Sequence, residues 1–358
     1  MIKTRRLVLT GTHTTPAVEL INQLQQDTEF NWKIYYIGRR CNSCTSTQAS
    51  IESKTIPSLK VKFYSIPCGK FDRRSFFNTI RGIPQIFTGF ISAYQILKEI
   101  QPWAIVSFGG YVSVPVIFAA WLLGIKSITH EQTKTKSLST RLSAPFSKFI
   151  ALSFPLRKRS PKEIVTGNLL RRDIFDSSSK NFNFLKFKIK KYPLIFVTAG
   201  NQGSSHLNEN IKGNPPQLKD TIIIHQCGPN DFNEYKKLEK KYPLYFAYSF
   251  IQAKDIGWVF NNSKIIISRA GANTIQEIEA LKKNSIIIPL PVSQQNEQLK
   301  NALWLHKKYP KNTIIILDKN LNGQILLKNI KRLLKTKNLK SKNEANINLK
   351  LLNLLKKL

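Results

Sequence analysis

This 358-residue chain predicts an α/β protein built on parallel sheets in two domains, and three observations carry the prediction. Short apolar, β-branched runs alternate with helical stretches along the chain, the pattern of strands joined by crossover helices. The length suffices for two domains of ordinary size, and 42% hydrophobic with 22% charged residues is a globular composition. Small-residue, Gly-bearing turns recur directly after the strand-like runs, at the edge where open α/β sheets bind ligands.

Met1–Arg6 lead straight into the first strand, Leu7–Thr10, so no secretory leader is expected. The turn Thr10-Gly11-Thr12-His13-Thr14-Thr15-Pro16 follows, with a helix expected from Ala17. Gly11 lets backbone approach a phosphate, and Pro16 suits a first helical turn. The positive end of that helix favours a neutral imidazole at His13, which then serves either as a base near pH 7 or merely as a cap for the turn. A second strand is expected at Trp32–Ile37. Beyond it, Cys41-Asn-Ser-Cys44 has metal or redox spacing, but no second pair follows at zinc-site distance, and Cys68 and Cys227 stand alone. The four read as free cytosolic thiols.

An apolar run (Phe76, Phe77, Ile80, Ile83, Ile86, Phe87, Phe90, Ile91) lies beside Arg73, Arg74 and Arg81. It reads either as a patch for anionic lipid headgroups or as a helix packed on its sheet, with Phe90, Tyr94 and Leu97 facing in. Val112–Ile125 and similar runs fall short of the roughly 20 residues that span a bilayer. The strand Ala104–Phe108 precedes Gly109-Gly110-Tyr111-Val112-Ser113, a second small turn, with a helix expected from Pro115. Ser127–Thr129 and Phe149–Leu152 continue the strand series, and His130-Glu131-Gln132 closes the former. The basic, Pro-bearing Pro155–Lys162 marks a break, which places a domain boundary near Thr166 and divides the chain into residues 1–165 and 166–358.

The second half repeats the pattern. Leu194–Thr198 leads to Ala199-Gly200-Asn201-Gln202-Gly203-Ser204, whose small residues free backbone N–H groups for a phosphate. Thr221–His225 follows, and His225-Gln226 reads as a polar end to that strand. The segment IIISRAGANTIQE makes a strand at Ile265–Ser268, a small turn and a helix opened by Asn273–Thr274, with Glu277 on its first turn. A helix N-terminus suits an anion, and a carboxylate there accepts hydrogen bonds from ribose hydroxyls. Ser285–Pro289 and Thr313–Leu317 complete the strands, with Gln298-Leu299-Lys300-Asn301 between them, and Leu321–Leu358 has helical spacing that suits packing helices. No turn fits GxGxxG or the P-loop, but three of them in two domains suggest two diphosphate sites facing each other across a cleft.

The charge is lopsided: 56 Lys+Arg against 21 Asp+Glu gives +35. That implies either an anionic partner, nucleic acid or an acidic membrane surface, or a general drift towards lysine without a site. No nucleic-acid-binding motif is present, so no nucleic-acid partner is expected.

Taken in order, the motifs resemble one family, the MurG glycosyltransferases of peptidoglycan synthesis. The resemblance runs from about Leu7 to Ala302 and is carried by eight strings in family order. They are TGTHTTPA (Thr10–Ala17), FGGYVSVP (Phe108–Pro115), HEQT (His130–Thr133), TGNLLR (Thr166–Arg171), AGNQGSSHLN (Ala199–Asn208), HQCG (His225–Gly228), SRAGANTIQE and NEQLKNA (Asn296–Ala302). It implies two Rossmann-like domains facing across a cleft, the GT-B glycosyltransferase fold. The first domain would meet the acceptor and the membrane, the second would bind UDP-GlcNAc, and the terminal helices would be free to pack back on the first.

The implied reaction is an inverting transfer of N-acetylglucosamine from UDP-GlcNAc to lipid I, giving lipid II at the cytoplasmic face of the cell membrane, where the enzyme is peripheral. Thr10, Gly11, Thr12, His13, Gly109, Gly110, Tyr111 and Ser113 would meet the acceptor diphosphate, and His13 is the candidate base. Arg171, Asn201, Gln202, Gly203, Ile251, Ala272, Asn273, Thr274, Ile275, Gln276, Glu277, Glu297 and Gln298 would hold the donor, with Glu277 on the ribose and Thr133 against the sugar. Four places depart from the family pattern: Thr12 in the first loop, Asn201 where Ser is usual, Lys134–Ser137 in place of a Pro-Gly stretch, and Glu297 where Gln or His is common. The chain has no Asp-x-Asp, so neither a metal nor a cofactor is expected. The alternatives are a related transferase with another lipid acceptor, a nucleotide-sugar epimerase of similar fold, or a basic nucleic-acid-binding protein.

Overall fold

The structure is a computed structural model. It describes residues 3–41, 49–67, 69, 76–156, 160–200, 202–213, 215–339 and 349–358, without the side chains of residues 76–83, 216 and 294. Two compact units form, Met1–Arg171 with Ala345–Leu358, and Arg172–Glu344.

The first unit holds β1 (Thr4–Thr10), β2 (Asn31–Gly38), β3 (Lys62–Ser65), β4 (Ala104–Ser107), β5 (Lys126–Glu131), β6 (Phe149–Leu152) and β7 (Glu163–Val165). Its helices are α1 (Thr14–Gln25), α2 (Ile51–Ser58), α3 (Phe76–Ile100), α4 (Ser113–Leu122) and α5 (Leu138–Ser143). The strands form one parallel sheet in the order β3-β2-β1-β4-β5-β6-β7. Both faces of β1 are buried, Leu7 and Leu9 in one core and Val8 in the other, which is why its run is continuously apolar.

The second unit contains α6 (Lys188–Lys191), β8 (Leu194–Thr198), α7 (Ser205–Lys212), β9 (Ile222–Gln226), α8 (Phe232–Lys236), β10 (Tyr245–Tyr248) and α9 (Ala253–Asn262). It continues with β11 (Ser263–Ser268), α10 (Ala272–Ala280), β12 (Asn284–Ile287), α11 (Glu297–Lys308), β13 (Thr313–Ile315) and α12 (Gly323–Leu334). Its parallel sheet runs β10-β9-β8-β11-β12-β13. In each sheet the strand order reverses once, between β1 and β4 and between β8 and β11. Such a switch point opens a crevice beyond the carboxyl ends of its strands.

The C-terminal stretch serves both units. Leu326, Ile330 and Leu333 of α12 enter the core of the second. The last helix, α13 (Leu349–Lys356), adds Leu351, Leu352, Leu354 and Leu355 to the core that holds Leu20, Ile21 and Leu24 of α1. Burying each of those leucines is worth roughly 1.5–3 kcal/mol at most. Lys356 fastens that helix through Asp27 at 2.8 Å and Glu29 at 2.7 Å.

Three strands go beyond the sequence expectation: β3, β7 and β10. Each is an edge strand with one neighbour. β3 and β7 are also short and largely half-buried or exposed, so they show no sustained apolar run. Helix starts also shift. α1 begins at Thr14 rather than Ala17, and α4 at Ser113 rather than Pro115. α10 begins at Ala272, which moves Glu277 from the expected first turn into the second.

Candidate active site

In the first unit the turns after β1 and β4 flank the switch point and interlock. Thr12 N–H donates to Gly109 C=O at 3.0 Å, and Phe108 N–H to Thr10 C=O at 2.7 Å. Gly11 has φ +136°, and a side chain there would lie 2.8 Å from the Phe108 carbonyl carbon and 2.9 Å from the Gly109 oxygen. Only glycine permits that approach. Tyr36, from β2, donates its hydroxyl to Gly11 C=O at 2.8 Å. Thr12, the departure in this loop, fills the space that a Gly110 side chain would take.

The Gly109–Ser113 turn is held from below. Gly110 N–H donates to Ser139 Oγ at 3.1 Å, and Ser113 Oγ–H to Gly110 C=O at 2.7 Å. Ser139 lies on α5, whose entry is organised by buried Glu131. That carboxylate accepts from Ser137 N–H at 2.7 Å, Thr133 N–H at 3.1 Å and Thr133 Oγ at 3.0 Å. The Thr133 hydroxyl is also 2.6 Å from Thr135 C=O, so it braces its own loop. Tyr111 is pinned by Arg39, which reaches its hydroxyl at 2.7 Å and pairs with buried Glu52 at 2.7 Å. Arg39, Glu52 and Ser139 carry no recognisable signal in the sequence; only the fold assembles them.

His13 is the N-cap residue of α1, yet its side chain makes no capping hydrogen bond. The residue as a whole is exposed. It is set among enough protein that lost hydration of the charged form holds its pKa below 6.5; the Glu131 and Glu52 carboxylates act upward and Arg39 downward. His13 is therefore neutral at pH 7. His130 behaves differently. It is buried, its Nε2 lies 3.2 Å from both Gly167 C=O and Ser153 Oγ, and burial brings its pKa down to about 4.

In the second unit the turn after β8 carries Gly200, Gln202 and Gly203; Asn201 lies outside the described residues. Gly200 has φ +83° and Gly203 φ +76°. Gly203 sits against the Cys227 carbonyl, and Gly228 against Gln202 C=O, so the turn rests on the end of β9. Ser204 caps α7 through Leu207 N–H at 3.4 Å and accepts from Arg269 Nη2 at 2.7 Å. Arg269, in the turn after β11, is buried, paired with Asp318 and 3.3 Å from Ile288 C=O. It ties the two switch-point turns together.

Beyond it, Gln298 of α11 accepts on Oε1 from Ala270 N–H at 3.2 Å and Leu290 N–H at 3.1 Å. That shapes the entrance to α10. The Gly271 N-cap brings no side chain to the α10 terminus. Ala272, Asn273 and Thr274 are half-buried, whereas Ile275 points its side chain into the core and can offer a ligand only backbone. Gln276 and Glu277 are buried, Glu277 to 2% exposure. Glu297 opens α11 as an acid in the first turn, favourable to that helix dipole. Buried Ile251 lies just after β10. Arg171 is half-buried, after the buried pair Leu169 and Leu170. Among the described residues no group of three or more His, Cys, Asp or Glu is placed to hold a metal. Cys41 and Cys227 are free thiols, while Cys44 and Cys68 lie outside the described residues.

Two domain descriptions match this chain: the glycosyltransferase family 28 N-terminal domain over residues 10–152 and its C-terminal domain over residues 194–358. A Clostridium kluyveri protein named UDP-N-acetylglucosamine--N-acetylmuramyl-(pentapeptide) pyrophosphoryl-undecaprenol N-acetylglucosamine transferase is 32% identical over 343 residues, 92% of this chain and 91% of that one. A Borreliella burgdorferi protein of the same name is 32% identical over 345 residues, 94% and 88% of the two chains. The crystal structure of Acinetobacter baumannii MurG shares the fold, with a TM-score of 0.74 at 22% identity over 99% of this chain and all (100%) of that one. The chain thus belongs to glycosyltransferase family 28, in the MurG family of N-acetylglucosamine transferases.

Proposed function

We propose that this enzyme moves N-acetylglucosamine from UDP-N-acetylglucosamine to lipid I, the undecaprenyl-diphosphate-linked N-acetylmuramyl-pentapeptide, forming lipid II in peptidoglycan synthesis. The observation that carries the reading is the 32% identity over 92% of the chain to a protein of that activity. Glycine turns at both switch points support it.

The acceptor hydroxyl attacks the anomeric carbon of the donor while the bond from that carbon to the β-phosphate oxygen breaks, which inverts the carbon. The hydroxyl proton passes to neutral His13 in the first turn. UDP leaves with the bonding electrons. Its growing charge is met by the N–H groups of Gln202 and Gly203, the α10 N-terminus and Arg171. Glu277 accepts from the ribose hydroxyls, from the second turn of α10. Thr10–Thr12 and Gly109–Ser113 take the acceptor diphosphate, with Tyr111 held by Arg39.

The enzyme works as a peripheral protein on the anionic cytoplasmic leaflet. No helix among the described residues is long and apolar enough to cross a membrane. On α3 and on α4 packed beside it, Ile86, Phe87, Ile91, Trp121 and Leu122 are exposed, Phe87 to 68%. Phe90 packs instead on Phe118, ring centroids 5.4 Å apart. Arg73 and Arg74 lie outside the described residues, as do the side chains of Phe76, Phe77, Ile80, Arg81 and Ile83.

Incubation with UDP-GlcNAc and a short-chain lipid I analogue, followed by product mass and anomeric configuration, tests the reaction. A β-linked disaccharide is expected, and a product on another lipid acceptor alone would overturn the acceptor assignment. Replacing Phe87 and Trp121 by Ser should weaken binding to phosphatidylglycerol vesicles and spare turnover of a soluble acceptor; unchanged vesicle binding would remove the membrane reading of this face.

A further inference from the structure

We propose that Gln226 is a positioning residue for donor binding: its one carboxamide locks the Gly200 turn to the Ile251 loop and so sets their spacing. The proposal rests on the reading of the second unit as the UDP-sugar half-site.

Gln226 ends β9, the strand between β8 and β10, in register with Thr198 on one side and Tyr248 on the other. Its buried side chain donates from Nε2 to Gly200 C=O at 3.0 Å and to Thr198 Oγ1 at 3.3 Å. Its Oε1 accepts from Ile251 N–H at 3.0 Å. Only one orientation of the amide satisfies these partners, because a flip would set oxygen against oxygen and N–H against N–H. Thr198 Oγ1 also accepts from Gly200 N–H at 3.1 Å, so both backbone groups of Gly200 are held while it keeps φ +83°.

The residues around Gln226 extend the same support. The Cys227 carbonyl backs Gly203 and is fixed by Asn208 Nδ2 at 2.9 Å. Asn208 Nδ2 also reaches Asp231 at 2.7 Å, which leaves its Oδ1 as acceptor for His225 Nε2–H at 2.9 Å. His225 Nδ1 then accepts from the Tyr245 hydroxyl at 2.7 Å. Every proton in this chain has an assigned place, which makes the scaffold stiff.

A buried glutamine needed only for packing would satisfy its amide on the strands it lies between. Gln226 instead directs two of its three bonds to loop atoms beyond the strand ends, on two segments that each carry a candidate donor contact. An apolar side chain of equal size fills the space but leaves Gly200 C=O and Ile251 N–H without this shared partner.

Two variants of the full chain test the proposal. Gln226→Glu keeps an acceptor for Ile251 and turns an oxygen towards Gly200 C=O, whereas Gln226→Met removes both links. Hydrogen exchange reads the clamp without any ligand: the segments holding Gly200 and Ile251 should exchange faster in Gln226→Met, and the Gly200 segment in Gln226→Glu. The dissociation constant for UDP and KM for UDP-GlcNAc should rise at least tenfold in both, with KM for the lipid acceptor and the unfolding cooperativity unchanged. Unaltered exchange would overturn the clamp. Faster exchange with unaltered UDP affinity, or donor and acceptor parameters worsening together, would overturn its positioning role. Wild-type protein that fails to bind UDP would remove the donor reading itself, and the positioning role with it, whatever the exchange data say of the clamp.

Discussion

Replacing Gly203 by Ala separates two costs that glycine avoids in the turn after β8. At φ +76° an added methyl would lie 2.8 Å from the Cys227 carbonyl carbon, nearer still to its oxygen, and 3.1 Å from Gly228 Cα. All of these are backbone atoms, so one loop must move by roughly 1 Å; such overpacking costs about 1–3 kcal/mol. The left-handed backbone adds about 1–2 kcal/mol for an L-residue. Gly200→Ala has the same strain, φ +83°, but meets nothing within 4 Å, so only the second cost applies. Gly213→Ala, in open space at φ −81°, supplies a control near zero. Urea unfolding should thus rank Gly203→Ala below Gly200→Ala, and Gly200→Ala below Gly213→Ala. A misplacement of about 1 Å at a binding turn costs on the order of 10²-fold in turnover. UDP-GlcNAc consumption by Gly203→Ala should fall accordingly, at unchanged acceptor KM. If Gly203→Ala matches Gly200→Ala in both stability and turnover, the packing of Cys227 against the turn is not what shapes it.

Three further outcomes follow from the same geometry. His13→Gln should lower kcat by about 10²–10⁴-fold and leave UDP affinity alone. Because the His13 pKa is held below 6.5 in the free protein, wild-type kcat/KM should rise with pH through a value under 6.5 and then level off; an acidic limb that persists in His13→Gln would exclude it as the base. His130, near 4, and His225, lowered to about 3 by burial, are neutral in the fold and titrate near 6.5 when unfolded. Their contribution is complete above pH 6.5 and is lost as pH falls towards the folded values. By proton linkage each costs about 2 kcal/mol at pH 5, and chemical unfolding at pH 7.5 and 5.0 that showed no loss would contradict their burial as neutral rings. Arg269→Met leaves Asp318 without its buried partner and Ser204 without its brace. It should destabilise the second unit by about 3 kcal/mol, and a shift below 1 kcal/mol in urea unfolding would show the pair to be dispensable.

The parts of this chain legible in its sequence are those where local chemistry forces the outcome. Gly11, Gly109, Gly110, Gly200 and Gly203 come after apolar runs and each adopts a positive φ that glycine permits; at Gly11, Gly110 and Gly203 a side chain would also collide with its neighbours. Ile265–Ile267 and Leu7–Leu9 are apolar without alternation because both faces of a central parallel strand are covered. β3 and β7 escape notice because a short edge strand has one neighbour and little to bury, and β10 because it is a four-residue edge strand whose aromatic run carries half-buried Phe246 and Tyr248 between buried Tyr245 and Ala247. Gln226 reads as a strand end, since its partners Gly200 and Ile251 stand about 25 residues away on either side and meet it only in the folded sheet. Arg39 with Glu52, and Arg269 with Asp318, are likewise long-range pairs that no local pattern announces. Glu277 falls in the second turn of α10 rather than the first because Gly271 and Ala272 carry no capping side chain to mark where the helix begins, one or two residues before Asn273–Thr274.

Acceptor-dependent glycosyl transfer is best tested by UDP release from UDP-GlcNAc, measured with and without a short-chain lipid I analogue. Release should require the analogue and equal the disaccharide formed. Release at the same rate without acceptor, or conversion of the sugar with no transfer, would contradict it.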